Sequence, residues 1–525
     1  MLRSRRVLAR HAGVVPTPTA REIAAATPAT RHRVVDLLRV GALTVVVLGH
    51  WLVAAVVVRD GRLVTGAVLD LAPWTHPLTW VFQVMPVFFL VGGYANALSW
   101  RRARARGARW PEWLRARLRR LLVPVVPLLL TWVVLLVVAD LAGADRAALR
   151  TASQVALVPT WFLAAYVVVC SLAPLTLSLW ARWGWASVAG ALAVGGVADL
   201  VSLTTDLWWV GFANYVLVWG AVHQLGYAWL DGRLAGTRRR LALAAVGGVG
   251  LVTLVAAGPY PVSMIGLDTA AVNNSYPTRV TLGFLGLLQA GLVLAAEPLL
   301  ARWMARDRPW ALTVRLGSRM MSVYLWHLTV MVLVVGGSLL LGGFGLGAEP
   351  LSGPWWAGRP VWWAVLALLT AAVVAVVARF ESVRPVRGPV EAWRPVLATA
   401  LGCGGLGLMA AQGLVARSGL RWWWALLPVA GVLLLRDRRD ASPGGDGLAP
   451  GEQVGALDVV AAQPDRLVEG GERRRVPGPG EQLRADRGEP VAAGEGLVEA
   501  VERGEPGRGT VPLGQGDGRG EPSAR

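Results

Sequence analysis

Lysine is absent from this 525-residue chain, so all 52 of its basic side chains are arginine. That absence excludes a Schiff-base lysine and the lysine of a phosphate-binding P-loop as the seat of any chemistry. Cysteine is nearly absent too. Cys170 and Cys403 are the only two, and both stand in apolar runs, which excludes a disulfide framework and a cysteine-based zinc site. Charge of either sign is scarce: charged residues make up 16% of the chain, against roughly 25% in soluble domains. What fills the space is apolar, at 54% hydrophobic residues and a mean hydropathy of +0.50. The solvent that tolerates such an excess is a bilayer.

The apolar residues are concentrated before residue 437. Twelve blocks stand there, at 40–58, 79–99, 121–139, 155–179, 185–203, 207–229, 241–258, 280–300, 317–341, 361–378, 396–416 and 422–435. Most reach the ~20 residues that a helix needs to cross a ~30 Å hydrocarbon layer. Runs such as LLVPVVPLLLTWVVLLVV must be helical, because an open strand edge in lipid leaves its backbone groups unpaired. Trp74, Trp110, Trp113, Trp208 and Trp209 stand near block ends, as an interfacial aromatic belt does. From Arg436 onward, 13 arginines and 17 acids stand among Gly and Pro. That composition predicts a disordered tail. The preceding body carries a net charge of +23 on 39 arginines and 16 acids.

Alternate loops differ sharply in arginine. The stretches 101–120, 181–184, 231–240, 301–316 and 379–395 hold 22 arginines, and the loops between them hold 8. By the positive-inside rule the N-terminus is cytoplasmic. The first 39 residues carry eight arginines and no apolar core, so no cleavable signal peptide is expected. Despite the net charge of +19, nucleic-acid binding is not expected, because the basic residues flank bilayer-length helices and form no separate domain.

Polar groups at membrane depth are costly and therefore informative. His50, Gln83, His223, Gln289, Glu297 and His327 are in this position. Arg39 and His50 are eleven residues apart, three helical turns plus about 20°, so they share one face about 16 Å apart along the axis. Asp36, one turn before Arg39, is placed to pair with it. His327 follows Arg319 by eight residues on a helix running the same way, which puts it near the depth of His50. There the two rings could meet as a proton pair, or His327 could bind an acceptor that Tyr324 positions. His223 is as well suited to helix packing, and Glu297 to pairing with an arginine. The long outer connection 259–279 offers Asn273, Asn274 and Tyr276 to a polar ligand.

Several of these segments occur in an order that resembles a known family. Asp36-x-x-Arg39 followed by ten residues and His50-Trp51 resembles the first helix of the acyltransferase-3 family of integral membrane acyltransferases. MPVFFLVGGYANALSW at 85–100, RARLRRLLVP at 115–124, WFLAAY at 161–166 and GSRMMSVYLWHL at 317–328 are similar to later segments of the same family. The chain departs from the pattern at Val91-Gly92-Gly93, where many members have Ser-Gly, and in its two last apolar blocks.

The resemblance implies an all-α polytopic membrane fold of about ten helices. It divides the chain into a cytoplasmic basic segment (1–30), the membrane acyltransferase domain (31–395), additional hydrophobic segments (396–436) and the tail (437–525). It further implies transfer of an acyl group, commonly acetyl, from cytoplasmic acyl-CoA to a hydroxyl of a carbohydrate or other cell-envelope acceptor in the plasma membrane. No permanently bound cofactor and no metal are implied. His50 is then the general base, or the carrier of a covalent acyl relay, and Arg39 holds the donor. Among the arginines of 101–120, those nearest the helix end, Arg101, Arg102 and Arg104, are the expected donor contacts. Asp36, Tyr324 and His327 are the expected supporting residues. The rival expectation is a proton-coupled transporter or flippase, against which stands the lack of an internal repeat between the halves.

Overall fold

A computed structural model describes residues 18–436 apart from 60–61, 268–269, 381–382 and 384–387. The described residues belong to the unit Met1–Ala462; the second unit, Gln463–Arg525, falls in the tail. The expected disorder of 437–525 therefore concerns residues outside the described ones, as does most of the basic N-terminal segment.

Thr19 starts a short helix α1 (Ala20–Ala25) through a capping box with Glu22. The first long helix, α2 (Arg33–Val53), carries Asp36, Arg39 and His50. Single turns and a 3-10 segment then lead to α3 (Met85–Ala105), which has Pro86 in its first turn. The chain continues through α4 (Trp110–Leu122), α5 (Val125–Leu141), α6 (Arg146–Leu157), α7 (Pro159–Ser171), α8 (Ala173–Trp183) and α9 (Trp185–Thr204). The second half comprises α10 (Asn214–Leu230), α11 (Thr237–Ala257), α12 (Val280–Ala295), α13 (Glu297–Met304), α14 (Asp307–Gly317), α15 (Met320–Leu340), α16 (Gly353–Val377), α17 (Trp393–Gln412) and α18 (Leu426–Leu434).

Eight helical stretches among the described residues are long and apolar enough to cross a membrane. The number rises to ten if the bent pairs α6–α7 (40°) and α12–α13 (52°) each count as one span. The fold is thus an all-α multi-pass membrane protein with eight to ten candidate membrane-spanning helices among the described residues, fewer than the twelve apolar blocks of the sequence. Part of the difference is α10, only 17 residues long and buried continuously from Val218 to Trp229. A helix that is apolar on every side is surrounded by protein. Its closest neighbour is α3. Where the two cross, a Cβ on Gly93 would overlap the backbone carbonyl of His223, and one on Gly226 would overlap that of Leu90. Small residues that let two backbones touch are a recurring device of membrane helix packing, and this contact gives Gly93 a purely steric role.

Two expectations about local structure need correction. The first apolar block predicts helix to residue 58, but α2 ends at Val53, and Ala54–Arg59 pairs antiparallel with Arg62–Ala67, Arg59 opposite Arg62. The β-branched run Val56-Val57-Val58 favours a strand, and Asp60-Gly61 between the strands is a preferred hairpin dipeptide. The hairpin is tied to the connection before α16 by Val58 N donating to Leu346 O (2.8 Å) and by an Arg59–Glu349 ion pair. Likewise, 101–120 is not an extended loop. It comprises the end of α3, a four-residue link and α4, whose Leu114, Leu118 and Leu122 lie at helical spacing and are buried.

Candidate active site

Helices α2 and α15 start from the same arginine-bearing end of the bundle and pack along each other. Their contact holds two histidine rings together. His50 Nδ1 lies 2.9 Å from His327 Nε2, with the ring planes 8° apart. His327 is fully buried, and its Nδ1 is 2.7 Å from the backbone oxygen of Tyr324 one turn earlier. His50 is only half-buried. The indole of Trp51 donates to the backbone oxygen of His327 (3.2 Å), and Trp362 on α16 donates to that of Trp51 (3.2 Å). These bonds, together with an apolar cluster of Val47, Trp51, Leu328, Val330, Met331 and Leu366, fix the rings in place.

The network assigns the tautomers. A carbonyl oxygen only accepts, so His327 Nδ1 carries a hydrogen and donates it to Tyr324 O. Neutral His327 then offers a bare Nε2, and His50 must donate to it from Nδ1. The remaining nitrogen of His50, Nε2, is left as a lone pair on the more accessible of the two rings. A neutral imidazole with one edge anchored and the other bare is equipped to accept a proton.

Asp36 is 2% exposed and lies between two guanidinium groups, Arg31 Nε at 2.7 Å and Arg39 Nη2 at 2.9 Å. The carboxylate neutralises one of the two cations and orients both. Arg39 keeps 24% of its side chain exposed. A residue not singled out from the sequence joins it: Arg117 on α4 donates to Ala95 O (3.3 Å) and lies within electrostatic range of Arg39, Tyr166 and Cys170. The signal was present in RARLRRLL, because an arginine three residues after Leu114 and one before Leu118 stays close to the buried stripe of α4. Arg115 on the same helix is 3% exposed and donates to Gly388 O (2.6 Å).

Other expected residues fall elsewhere. Arg101 pairs with Asp231 (2.6 Å) and Arg104 is exposed on the last turn of α3. Arg102 lies in the electrostatic environment of Tyr94. None of the three is among the electrostatic neighbours of Arg117. The Tyr324 hydroxyl, expected to position an acceptor, is buried and donates to Pro159 O (2.9 Å), and the backbone oxygen of Tyr324 meets His327 Nδ1 (2.7 Å). His327 is fully buried, with its Nε2 against His50 Nδ1.

The remaining membrane-depth polar groups are bonded within the protein. His223 lies between Asn96 (3.1 Å) and the Tyr227 hydroxyl (2.9 Å), and Glu297 between His32, Trp229 and Arg240. Gln83 and Gln289 donate to backbone oxygens around Met264 and Trp80. Asn274, offered above as a ligand contact, is fully buried. It donates to Pro261 O and Ser263 O and accepts from Thr281. Asp199 escaped the sequence reading. It is fully buried on α9 and accepts from Asn214, Tyr260, Arg279 and the backbone of Val280, which makes it a clasp between α9, α10 and the start of α12.

Fold and site together define a multi-pass membrane protein with an anchored histidine in its interior and an oriented arginine, Arg39, on the same helix, nearer the arginine-bearing end. Residues 33–379, about two thirds of the chain, match the acyltransferase-3 family, described as an acyltransferase domain (Acyl_transf_3), and the chain belongs to that family. It is a membrane acyltransferase that transfers groups other than aminoacyl groups. No curated protein and no solved structure matches the chain. The family assignment leaves the transporter alternative without support.

Proposed function

We propose that this enzyme moves an acyl group, in the first instance acetyl, from cytoplasmic acyl-CoA to a hydroxyl of a cell-envelope carbohydrate or related acceptor in the plasma membrane. The observation that carries the reading is the half-buried His50, on the same helix as Arg39, in contact with His327 through Nδ1. In this reading the arginine-bearing end faces the cytoplasm, where a polyanionic donor is met by Arg39 and Arg117. Guanidinium groups bind phosphate oxygens through charge-assisted hydrogen bonds. Three helical turns, about 16 Å, separate that anion site from His50, a span for the extended pantetheine arm to cover.

The acceptor hydroxyl gives its proton to His50 Nε2 as its oxygen attacks the thioester carbonyl. The new C–O bond forms, the tetrahedral intermediate collapses with cleavage of C–S, and the departing sulfur takes the proton back from Nε2. During this cycle His50 is transiently cationic, and its Nδ1–H bond to His327 strengthens. His327 acts on the reaction only through His50, so it is a positioning residue.

The test uses purified full-length protein in liposomes, radiolabelled acetyl-CoA and a carbohydrate-containing envelope extract. Label should enter an alkali-labile ester of the extract with the wild-type protein and not with His50→Ala at equal folded amount. Label that enters equally with both proteins, or that appears in alkali-stable linkage, removes the proposal.

A further inference from the structure

Away from the histidine pair, the bundle carries a cavity of about 970 Å³ between α9 and α11, floored by α12. Its walls are apolar for most of their length, with Leu192 and Ala193 on α9, Val246 on α11 and Phe284 on α12; two guanidinium groups, Arg233 and Arg239, line it as well. Both belong to the arginine-bearing end. On α11 the lining runs from Arg239 to Leu254, about 22 Å at 1.5 Å per residue, and on α12 it reaches Val280, the first residue of that helix, so the walls follow most of a ~30 Å hydrocarbon layer. The cavity is therefore long, apolar for most of its length and cationic at the arginine-bearing mouth.

The mouth has a defined construction. Arg233 lies 5.0 Å above the indole of Trp180, and Gly184, at φ +53°, leaves room for it: a Cβ there would come within 2.8 Å of Arg233 Nη1. Asp231, two residues earlier in the chain, is engaged by Arg101 (2.6 Å) and Trp180 (2.9 Å). Arg233 and Arg239 form no ion pair among the described residues. Trp183 and Trp185 flank the mouth at 56% and 38% exposure, where interfacial tryptophans meet headgroups.

We infer that this cavity is a binding site for an anionic glycerophospholipid of the inner leaflet, with its phosphate between Arg233 and Arg239 and one acyl chain along α9, α11 and α12. Charge complementarity at the mouth selects the anionic headgroup, and the long apolar walls select a lipid tail. The site does not touch His50 and stands whatever the acyl acceptor is.

The test reconstitutes the full-length protein with photoactivatable phosphatidylglycerol, or with phosphatidylcholine carrying the same diazirine acyl chain, and maps crosslinks by mass spectrometry. Phosphatidylglycerol should label the peptides of α9, α11 and α12 at least five-fold more than phosphatidylcholine. Arg233→Gln/Arg239→Gln should abolish that preference, and Ala193→Trp, which obstructs the path of the acyl chain between α9 and α11 and keeps both arginines, should lower the labelling several-fold. Equal labelling by the two lipids, an unchanged preference in the double variant or unchanged labelling in Ala193→Trp would overturn the inference. Should the double variant fail to elute as a single species, Ala193→Trp and the lipid comparison on wild type decide it.

Discussion

Removing the ring that holds His50 separates positioning from proton transfer. In His327→Leu the Nδ1–H of His50 loses the acceptor now 2.9 Å away, and the imidazolium formed during turnover loses its bond. A hydrogen bond to a charged group contributes about 1.5–3 kcal/mol. At about 1.4 kcal/mol per tenfold in rate, kcat should fall roughly 10- to 100-fold. The effect on KM for acetyl-CoA should be small, because the anion site lies about 16 Å away along α2. His327→Gln supplies a carbonyl oxygen in the same region and should recover most of the lost rate, which a purely packing role for His327 would not produce. The assay is the initial rate of label transfer in liposomes over a range of acetyl-CoA, normalised to protein that elutes as one species. A leucine variant with kcat within twofold of wild type would refute the reasoning.

Further outcomes follow from the same contacts. Arg39→Leu should raise the KM for acetyl-CoA about tenfold or more, as expected for one lost charge-assisted contact, with Arg117→Leu acting in the same direction; an effect confined to kcat would contradict their placement as donor contacts. Tyr324→Phe should leave kcat unchanged and lower thermal stability by about 1 kcal/mol, because only the bond to Pro159 O is lost. For Asp231, burial pushes the carboxyl up, but hydrogen bonds from Arg101 and Trp180 and the charges of Arg101 and Arg233 more than reverse this and hold it below the usual carboxylate range. A depressed carboxyl stabilises the fold above the unfolded-state value of about 3.9, and that contribution is lost as pH falls through the folded value. Asp231→Asn should therefore lower stability by about 0.5 kcal/mol at neutral pH, as befits a largely exposed pair, and by progressively less as the pH falls through the folded value, measured by thermal unfolding in detergent along an acid pH series.

Much of the fold was legible because lipid makes strict demands on sequence. Bilayer-length apolar blocks admit helices alone, and an arginine asymmetry marks one end of the bundle. Two lessons lie in what was misread. The β-hairpin after His50 was absorbed into an apolar helix although Asp60-Gly61 and three consecutive valines argue locally for strands. Helix α4 was read as a loop because its arginines dominated its composition, while Leu114, Leu118 and Leu122 carried the helical period. In the site, the shared depth of His50 and His327 and the adjacency of Asp36 and Arg39 were visible from periodicity. The order of the histidine pair was not, because it depends on which ring nitrogen meets Tyr324 O. Arg117 was hidden among nine arginines, since only packing separates the guanidinium groups that face inward from those that face water. Asp199 was overlooked because one acid in a long apolar block barely alters its hydropathy, yet four donors converge on it.

The account rests on His50 as the group that takes the acceptor's proton. General base catalysis is worth about 10²- to 10⁴-fold, so the most direct measurement is the single-turnover rate of acetyl transfer with wild type and His50→Ala, both saturated with acetyl-CoA in liposomes. The account predicts a fall of about two orders of magnitude or more, with acetyl-CoA binding retained. Equal single-turnover rates in the two proteins would contradict it.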